Sequence, residues 1–238
     1  QNGKQEDWKC KKMIGVTNIS KAYKTLKVIE NFSIEFEKGK ISCIFGASGS
    51  GKTTLLNILT GITKMDSGQR INLEDKRFSY VFQEDRLLPF ATAKQNLMFV
   101  LEDRYDKKEA EERAKKYLEV VGLSRFMDSY PHELSGGMQR RVSFARALAY
   151  EGDVLILDEP FKGLDQKLKK SLIEFVKSYL KKDDAYVRLV THDMQEAVTL
   201  SDCIYKVNGP ELKIVEKIIV DEAMKEQVKE KMLLIDKI

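Results

Sequence analysis

Three short segments of the chain consist largely of apolar residues, at positions 41–45, 154–157 and 186–190. A nearly continuous aliphatic run of this length is typical of a strand that is buried on both faces. Such strands occur in parallel sheets, because helices cover both sides of those sheets. We therefore predict a parallel sheet at the centre of the fold, with helices on each side.

Weaker apolar patterns predict the remaining strands. Residues 13–23 and 32–36 are expected to form a small antiparallel layer. Residues 37–40 predict the turn that leads into the strand at 41–45. The other predicted strands lie at residues 70–73, 78–82, 203–207 and 212–220.

Helical periodicity dominates the middle of the chain, where residues 92–122 and 138–150 repeat apolar positions at helical spacing. Further helices are predicted at 54–60, 166–181 and, as an amphipathic surface helix, 221–238, while the polar residues 1–12 are expected to be loosely held. We predict a single domain over residues 1–238. Its α/β core would comprise 13–87 and 150–220, with 88–149 as an inserted helical subdomain.

Composition narrows the class of protein. The 238 residues are 33% charged and 42% hydrophobic, which is typical of a soluble globular protein. No apolar stretch approaches the ~20 residues of a transmembrane helix, so a membrane role would require a partner. The net charge of +4 arises from interleaved acidic and basic residues, which is poor support for nucleic-acid binding. The scattered cysteines Cys10, Cys43 and Cys203 favour a reducing compartment over a disulfide framework or zinc site.

The strand at 41–45 leads directly into a glycine-rich loop. The loop reads Gly46-Ala47-Ser48-Gly49-Ser50-Gly51-Lys52-Thr53, which fits the Walker A pattern G-x-x-x-x-G-K-[ST] between a strand and a helix. Glycines allow consecutive backbone N–H groups to form an anion cradle, and the helix that follows directs its positive end to the same place. We predict that this loop and Thr54 bind a nucleoside triphosphate. The alternative is a glycine-rich turn without a ligand.

Two residues of this loop have specific expected roles. Lys52 would reach the β- and γ-phosphates, and the Thr53 hydroxyl would be a ligand of Mg²⁺. Two acidic residues follow the strand at 154–157, in the sequence Asp158-Glu159-Pro160. Because ligands bind at the carboxyl ends of strands in open α/β sheets, Asp158 is expected at the Mg²⁺ and Glu159 is expected to polarise the attacking water. The alternative is an ordinary solvated strand end.

Residues 134–140, Leu-Ser-Gly-Gly-Met-Gln-Arg, open a helix with small residues and predict a second anion site at its N-terminus. This segment resembles the signature sequence of ATP-binding cassette (ABC) ATPases, and the resemblance extends over residues 13–220. It implies an α/β fold with a P-loop NTPase (RecA-like) core, an antiparallel β layer and an inserted α-helical subdomain.

The same resemblance implies roles for single residues. Tyr23 would stack on adenine, although it could simply be a packed strand-end tyrosine. Gln83 would sense Mg²⁺ and the γ-phosphate, although it could be an ordinary loop amide. His192 would contact the γ-phosphate, whereas His132 is expected to be structural. The segment Gly163-Leu164-Asp165 resembles the one that crosses to a partner subunit.

ABC ATPases work as pairs, so the resemblance implies a head-to-tail homodimer. Each ATP would lie between the Lys52 loop of one subunit and Ser135, Gly136, Gly137 and Asp165 of the other. ATP binding would close the pair, and hydrolysis would let the halves separate and transmit that motion to a partner.

Residues 83–90, Gln-Glu-Asp-Arg-Leu-Leu-Pro-Phe, resemble the Q-E-x-R-L-L-P-W segment of nitrate, sulfonate and taurine importer ATPases. It lies where such ATPases dock their membrane permeases. The chain departs from this segment at two places, since Asp85 replaces proline and Phe90 replaces tryptophan. It departs from the family's other segments at two more: Lys162 replaces a small residue, and Arg140-Arg141 stands where Gln-Arg is usual.

The resemblance therefore predicts the ATPase subunit of a bacterial uptake transporter. It would act at the cytoplasmic face of the membrane, on a permease fed by an extracytoplasmic solute-binding protein. The alternatives are an ATPase for export or lipoprotein release, a soluble ABC protein of DNA repair or translation, and a non-catalytic ATP clamp.

Overall fold

A computed structural model describes residues 13–179 and 185–221, together with Gln227. The predicted N-terminal segment 1–12 lies outside the described residues, as does the predicted tail helix apart from Asp221 and Gln227. Among the residues that are described, no helix is both long and apolar enough to cross a membrane.

The central sheet has six strands in the order β5-β6-β7-β3-β8-β9. The strands are β3 (Ile41–Phe45), β5 (Phe78–Val81), β6 (Val154–Asp158), β7 (Tyr186–Thr191), β8 (Cys203–Asn208) and β9 (Lys213–Ile219). The first five are parallel and β9 is antiparallel to β8. Every residue of β3, β6 and β7 is buried, which confirms the prediction from their aliphatic runs.

A smaller antiparallel sheet, in the order β2-β1-β4, covers one face. It contains β1 (Met13–Tyr23), β2 (Leu26–Glu37) and β4 (Ser67–Ile71). The predicted second strand was too short, because the first half of β2 is largely exposed and is polar in part. The register nevertheless pairs Tyr23 with Leu26 at the hairpin end, next to Lys24 in a left-handed conformation.

Six α-helices are described: α1 (Lys52–Leu59), α2 (Ala93–Leu101), α3 (Lys107–Val120), α4 (Gly136–Tyr150), α5 (Gln166–Tyr179) and α6 (Met194–Leu200). The periodic segment 92–122 is two helices rather than one. Thr92 caps α2 in a capping box with Gln95, and Asp106 caps α3. In the connection, Arg104 donates hydrogen bonds to the backbone carbonyls of Tyr150 and Glu151, which fixes the break. The division into core and helical subdomain stays a prediction.

The hydrophobic core lies on both faces of the central sheet. Leu155 and Leu157 of β6 face a cluster that includes α2, α3 and α4, whereas Val154 and Ile156 face the small sheet and α1. This alternation follows from the two-residue period of a strand. Because these strands are parallel, the carboxyl ends of β3, β5, β6 and β7 lie at one edge of the sheet, where the predicted site residues emerge.

Candidate nucleotide-binding site

The glycine-rich loop joins β3 to α1 and takes backbone conformations that favour glycine. Gly49 and Gly51 have φ angles of 80° and 96°, in the region that L side chains rarely adopt. A Cβ atom at Gly46 would lie 2.4 Å from the carbonyl oxygen of Val207. Helix α1 begins at Lys52, two residues earlier than predicted, and its N-cap Gly51 offers no side chain to the first turn. The open backbone N–H groups of that turn suit an anionic ligand.

Lys52 lies beneath this loop and is 6% exposed. Its Nζ donates to the carbonyl oxygens of Gly46 and Ala47 at 2.8 and 2.6 Å, and to Ser50 Oγ at 3.4 Å. Burial lowers the pKa of Lys52, and the nearby carboxylates of Glu159 and Asp158 oppose that shift. The side chain thus folds back on its own loop, with a cationic head in reach of a phosphate placed there.

Asp158, the last residue of β6, contacts the first turn of α1. Thr53 Oγ1 donates to Asp158 Oδ2 at 3.1 Å. Burial raises the pKa of Asp158, and the Thr53 hydrogen bond partly offsets the shift. A hydroxyl and a buried carboxylate are hard oxygen ligands of the kind that Mg²⁺ uses together with substrate phosphates. The residues present therefore fit the predicted metal.

Glu159 follows in a left-handed conformation with φ 47° and is only 8% exposed. Its Oε1 lies 3.0 Å from Nδ1 of His192, so the imidazole N–H can donate to the carboxylate. The two residues come from the ends of the neighbouring strands β6 and β7, which pair Asp158 with Val190. A carboxylate and an imidazole in contact can hold or move a proton at this edge of the sheet.

A second set of contacts fixes the segment that carries His192, and the sequence did not reveal it. Thr191 Oγ1 donates to Glu196 Oε2 at 2.6 Å, and Lys169 Nζ lies 2.7 Å from Glu196 Oε1. The Asp193 carboxylate caps α6 by accepting from the N–H groups of Gln195 and Glu196. These contacts join α5 to α6 and hold the backbone on both sides of His192, whose ring is exposed.

The loop, the carboxylates and part of the small sheet enclose a cleft of about 410 Å³. Ten of the predicted nucleotide, metal and catalytic residues line it together: Tyr23, Ser48, Gly49, Gly51, Lys52, Thr53, Thr54, Gln83, Asp158 and Glu159. Val28 also lines the cleft and was not predicted, because a single valine in a strand carries no distinguishing signal. Gly46, Ala47 and Ser50 contact Lys52, and His192 reaches the cleft through Glu159.

The other predicted nucleotide ligands do not line this cleft. Ser135 caps α4 by accepting from the Met138 N–H at 3.3 Å, which explains why the helix begins two residues before the predicted Met138. A Cβ atom at Gly137 would lie 3.7 Å from the Gly163 carbonyl oxygen, so the signature and crossing segments are neighbours. The Asp165 carboxylate caps α5 by accepting from the Leu168 N–H.

An apolar groove of about 410 Å³ lies between the helices and the edge of the sheet. Its lining includes Ile62, Phe82, Phe99 and Tyr150, together with Arg86. Phe99 and Ile62 are 68% and 54% exposed, an unusual amount for large apolar side chains on adjoining elements.

The chain is similar to known proteins over most of its length. The sequence model of the family described as "ABC transporter" matches residues 29–162. The chain is 37% identical over 210 residues to a probable sulfate/thiosulfate import ATP-binding protein of Chlorella vulgaris, covering 84% of this chain and 89% of that protein. It is 38% identical over 193 residues to an aliphatic sulfonates import ATP-binding protein of Bacillus cereus, covering 78% and 75%.

Solved structures of ATP-binding cassettes share the fold of this chain. An ATP-binding cassette dimer in a post-hydrolysis state, bound to ADP and phosphate, superimposes with a TM-score of 0.80 at 28% identity. The match covers 87% of this chain and 99% of that one.

Proposed function

Because the chain belongs to the ABC transporter family, we propose that it is the ATP-hydrolysing subunit of an uptake transporter for a small anionic solute. The cleft carries this proposal, since it brings Lys52, the Thr53–Asp158 pair and Glu159 to one place. Each of these groups matches a part that phosphoryl transfer needs: a phosphate cradle, a metal site and a residue that orients water.

The cleft residues would divide the work as follows. Lys52 exchanges its contacts with Gly46 and Ala47 for phosphate oxygens, which have higher negative charge than carbonyls. Thr53, Asp158 and Gln83 would hold Mg²⁺, and the ion would supply positive charge to neutralise the phosphates. Glu159 orients the attacking water, and His192 holds the Glu159 carboxylate in place.

We propose that the remaining predicted residues act on the nucleotide of a second copy. Ser135, Gly136 and Gly137 stand at the N-terminus of α4, a 15-residue helix, and no atom outside the local chain lies within 4 Å of a Cβ placed at Gly136. That free space allows a phosphate to approach the helix end. Asp165, beside the same surface, would complete the partner's site in a head-to-tail homodimer.

The apolar groove would receive a membrane permease. Residues 83–90, which resemble the docking segment of importer ATPases, supply Arg86 and Leu88 to its wall. Exposed Phe99 and Ile62 would be covered by the permease, so the chain would lie at the cytoplasmic face of the cell membrane. The relatives are named for the import of sulfate, thiosulfate and aliphatic sulfonates, which favours a small oxyanion delivered by an extracytoplasmic solute-binding protein.

The test is affinity capture from gently solubilised native membranes. The bait is the Glu159→Gln chain with ATP and Mg²⁺, and the control bait carries Phe99→Asp in addition. Mass spectrometry should find a multi-span permease with the first bait and lose it with the second. Recovery of an exporter subunit would overturn the uptake assignment, and recovery of only ribosomal or DNA-associated proteins would overturn transport.

A further inference from the structure

Arg140 is a buried arginine in the second turn of α4 that bonds to two separate segments of the site. It is 5% exposed, and all three of its guanidinium nitrogens donate hydrogen bonds. Its acceptors are the carbonyl oxygens of Phe82, Gln83, Asp158, Glu159 and Pro160 and the carboxylate of Asp85.

The first group of acceptors belongs to the segment that carries Gln83. Nη1 donates to the Phe82 carbonyl, to the Gln83 carbonyl at 3.3 Å and to Asp85 Oδ1 at 3.1 Å. The Asp85 side chain is 24% exposed against 6% for Arg140, so the ion pair is largely shielded from water. A guanidinium suits this arrangement, because its planar fork offers several fixed donors to different acceptors.

The second group belongs to the turn that carries Glu159. Nη2 donates to the Asp158 and Glu159 carbonyls at 3.2 and 2.6 Å, and Nε donates to the Pro160 carbonyl at 3.1 Å. Glu159 occupies a left-handed conformation, which is strained for a residue other than glycine and persists only where the surrounding structure enforces it. The Glu159 N–H donates to the Val190 carbonyl of β7. The backbone of Glu159 is therefore held at its N–H by β7 and at its carbonyl by Arg140.

A second arginine of α4 binds the same loop. Arg146 donates to the carbonyl oxygens of Asp85 and Arg86 at 2.9 and 2.8 Å. Helix α4 therefore binds the segment of residues 85 and 86 through two arginines that are six positions apart, Arg140 at the Asp85 side chain and Arg146 at the two carbonyls. Only Arg140 also reaches the Glu159 turn through the bonds described, so it is the link between the two segments.

We propose that Arg140 is a positioning residue for ATP hydrolysis, which keeps Gln83 and Glu159 in one fixed relative arrangement. Asp85 sets the orientation of the Arg140 guanidinium, so the loop that borders the proposed docking groove acts on Glu159 through this ion pair. The inference rests on the proposed function, since it assumes that Gln83 and Glu159 act on the nucleotide. Asp85 and Arg140 are also two of the positions at which the chain departs from the patterns it resembles, and they contact each other.

The expected effect is on turnover rather than on nucleotide binding. Arg140→Gln should lower kcat about 10- to 100-fold, by the usual scale for misplaced catalytic groups. The dissociation constant for ATP should stay within about twofold, because the hydrogen bonds described for Arg140 all go to residues outside the Lys52 loop. The Mg²⁺ concentration for half-maximal activity should rise, since Gln83 is held less firmly. Arg140→Lys should not restore kcat, because an ammonium group lacks the guanidinium fork.

Asp85→Asn provides a second, milder variant that keeps the size of the side chain. It should lower kcat several-fold, and the double variant should be no slower than Arg140→Gln alone, because the two residues act as one unit. Arg125→Gln, an exposed arginine-to-glutamine change, is the matched control.

Steady-state hydrolysis, ATP binding and thermal unfolding are measured for wild type and for the five variants. The inference is overturned if Arg140→Gln and Asp85→Asn keep kcat within about twofold of wild type. It is also overturned if weaker ATP binding or lower thermal stability accounts for the whole fall in kcat. Parallel measurement of Glu159→Gln separates this failure from a failure of the proposed function. An inactive Glu159→Gln with a normal Arg140→Gln would reject the positioning role alone, whereas an active Glu159→Gln would reject the proposed function.

Discussion

His192 Nδ1 and Glu159 Oε1 lie 3.0 Å apart at the carboxyl edge of the central sheet. The contact joins the residue that follows β6 to the residue that follows β7, and the parallel pairing of these strands places both at the same level. Glu159 is nearly buried whereas the His192 side chain is 59% exposed. The imidazole can thus orient the carboxylate from the open side, where a second subunit would approach.

The ring of Tyr23 is predicted to support the nucleotide base. It lines the cleft at the end of the β1–β2 hairpin and is 47% exposed. Tyr23→Ala should weaken ATP binding about tenfold, because base stacking on an aromatic ring contributes about 1–3 kcal/mol. Tyr23→Trp should retain the wild-type affinity. Calorimetric titration checks this, and equal affinity of Tyr23→Ala and wild type would remove Tyr23 from the site.

The composite sites of the proposed dimer can be tested by mixing two inactive chains. Lys52→Ala removes the phosphate-loop cation, and Gly136→Asp puts a carboxylate at the helix end, where the structure has room for it. Each variant alone should be inactive, but a mixed dimer regains one intact site. Activity of an equimolar mixture should reach about a quarter of wild type if the subunits exchange freely and each site acts alone. No recovery in a mixture shown to contain heterodimers would contradict the head-to-tail arrangement.

Asp158 is predicted to lower the stability of the nucleotide-free chain. Its pKa is raised by burial, so the folded state binds a proton more readily than the unfolded state does, and the charged carboxylate is disfavoured on folding at neutral pH. Asp158→Asn should raise the free energy of unfolding by about 1 kcal/mol while lowering Mg²⁺-dependent hydrolysis. The gain should vanish as the pH falls below the carboxyl pKa of the unfolded chain, where Asp158 is protonated in both states.

Denaturant unfolding between neutral and acid pH measures this gain, and Asp128→Asn, at an exposed carboxylate, is the control. A loss of stability on Asp158→Asn at neutral pH would show that the charge is favoured in the folded state.

Arg188 is a second buried charge, in the middle of β7. It is 1% exposed, and two of its nitrogens, Nε and Nη2, have no hydrogen-bond partner among the described residues. The guanidinium lies 4.2 Å from the centre of the Phe36 ring, and burial lowers the pKa of Arg188 to about 9. Arg188→Met should therefore increase the free energy of unfolding by about 1–3 kcal/mol at neutral pH, as when other buried charges are replaced by apolar groups.

The pH dependence of this difference has a definite sign. Because the folded-state pKa of Arg188 is below its unfolded value, wild type gains stability as the pH rises above about 9. The advantage of Arg188→Met should shrink over that range. Chemical denaturation at several pH values measures it against the exposed-site control Arg125→Met. A less stable Arg188→Met at neutral pH would mean that the ring contact outweighs the cost of burial.

The predictability of the fold varied with how locally each element is determined. Strands β3, β6 and β7 were predicted because burial on both faces demands an aliphatic run. The start of β4 was missed, since its first residues, Ser67 and Gly68, are polar or lack a side chain and form a strand only by pairing with β1. The break between α2 and α3 was missed because the carbonyls that Arg104 contacts are 46 and 47 positions away.

The site shows the same contrast. The phosphate loop is contiguous in sequence, so its motif could be recognised directly. The role proposed for Arg140 could not be predicted, because its acceptors lie 18 to 20 positions away on one side and 55 to 58 on the other. Only folding brings them around one guanidinium.

The most direct test of the account is ATP hydrolysis by the Glu159→Gln chain, measured beside ATP binding to the same chain. Glutamine keeps the size of the side chain but is a far weaker base, so turnover should fall at least about 100-fold while ATP affinity stays within about twofold. Glu119→Gln, at an exposed position on α3, should behave as wild type. Hydrolysis by Glu159→Gln at more than about half the wild-type rate would contradict the assignment of Glu159 as the residue that orients the attacking water.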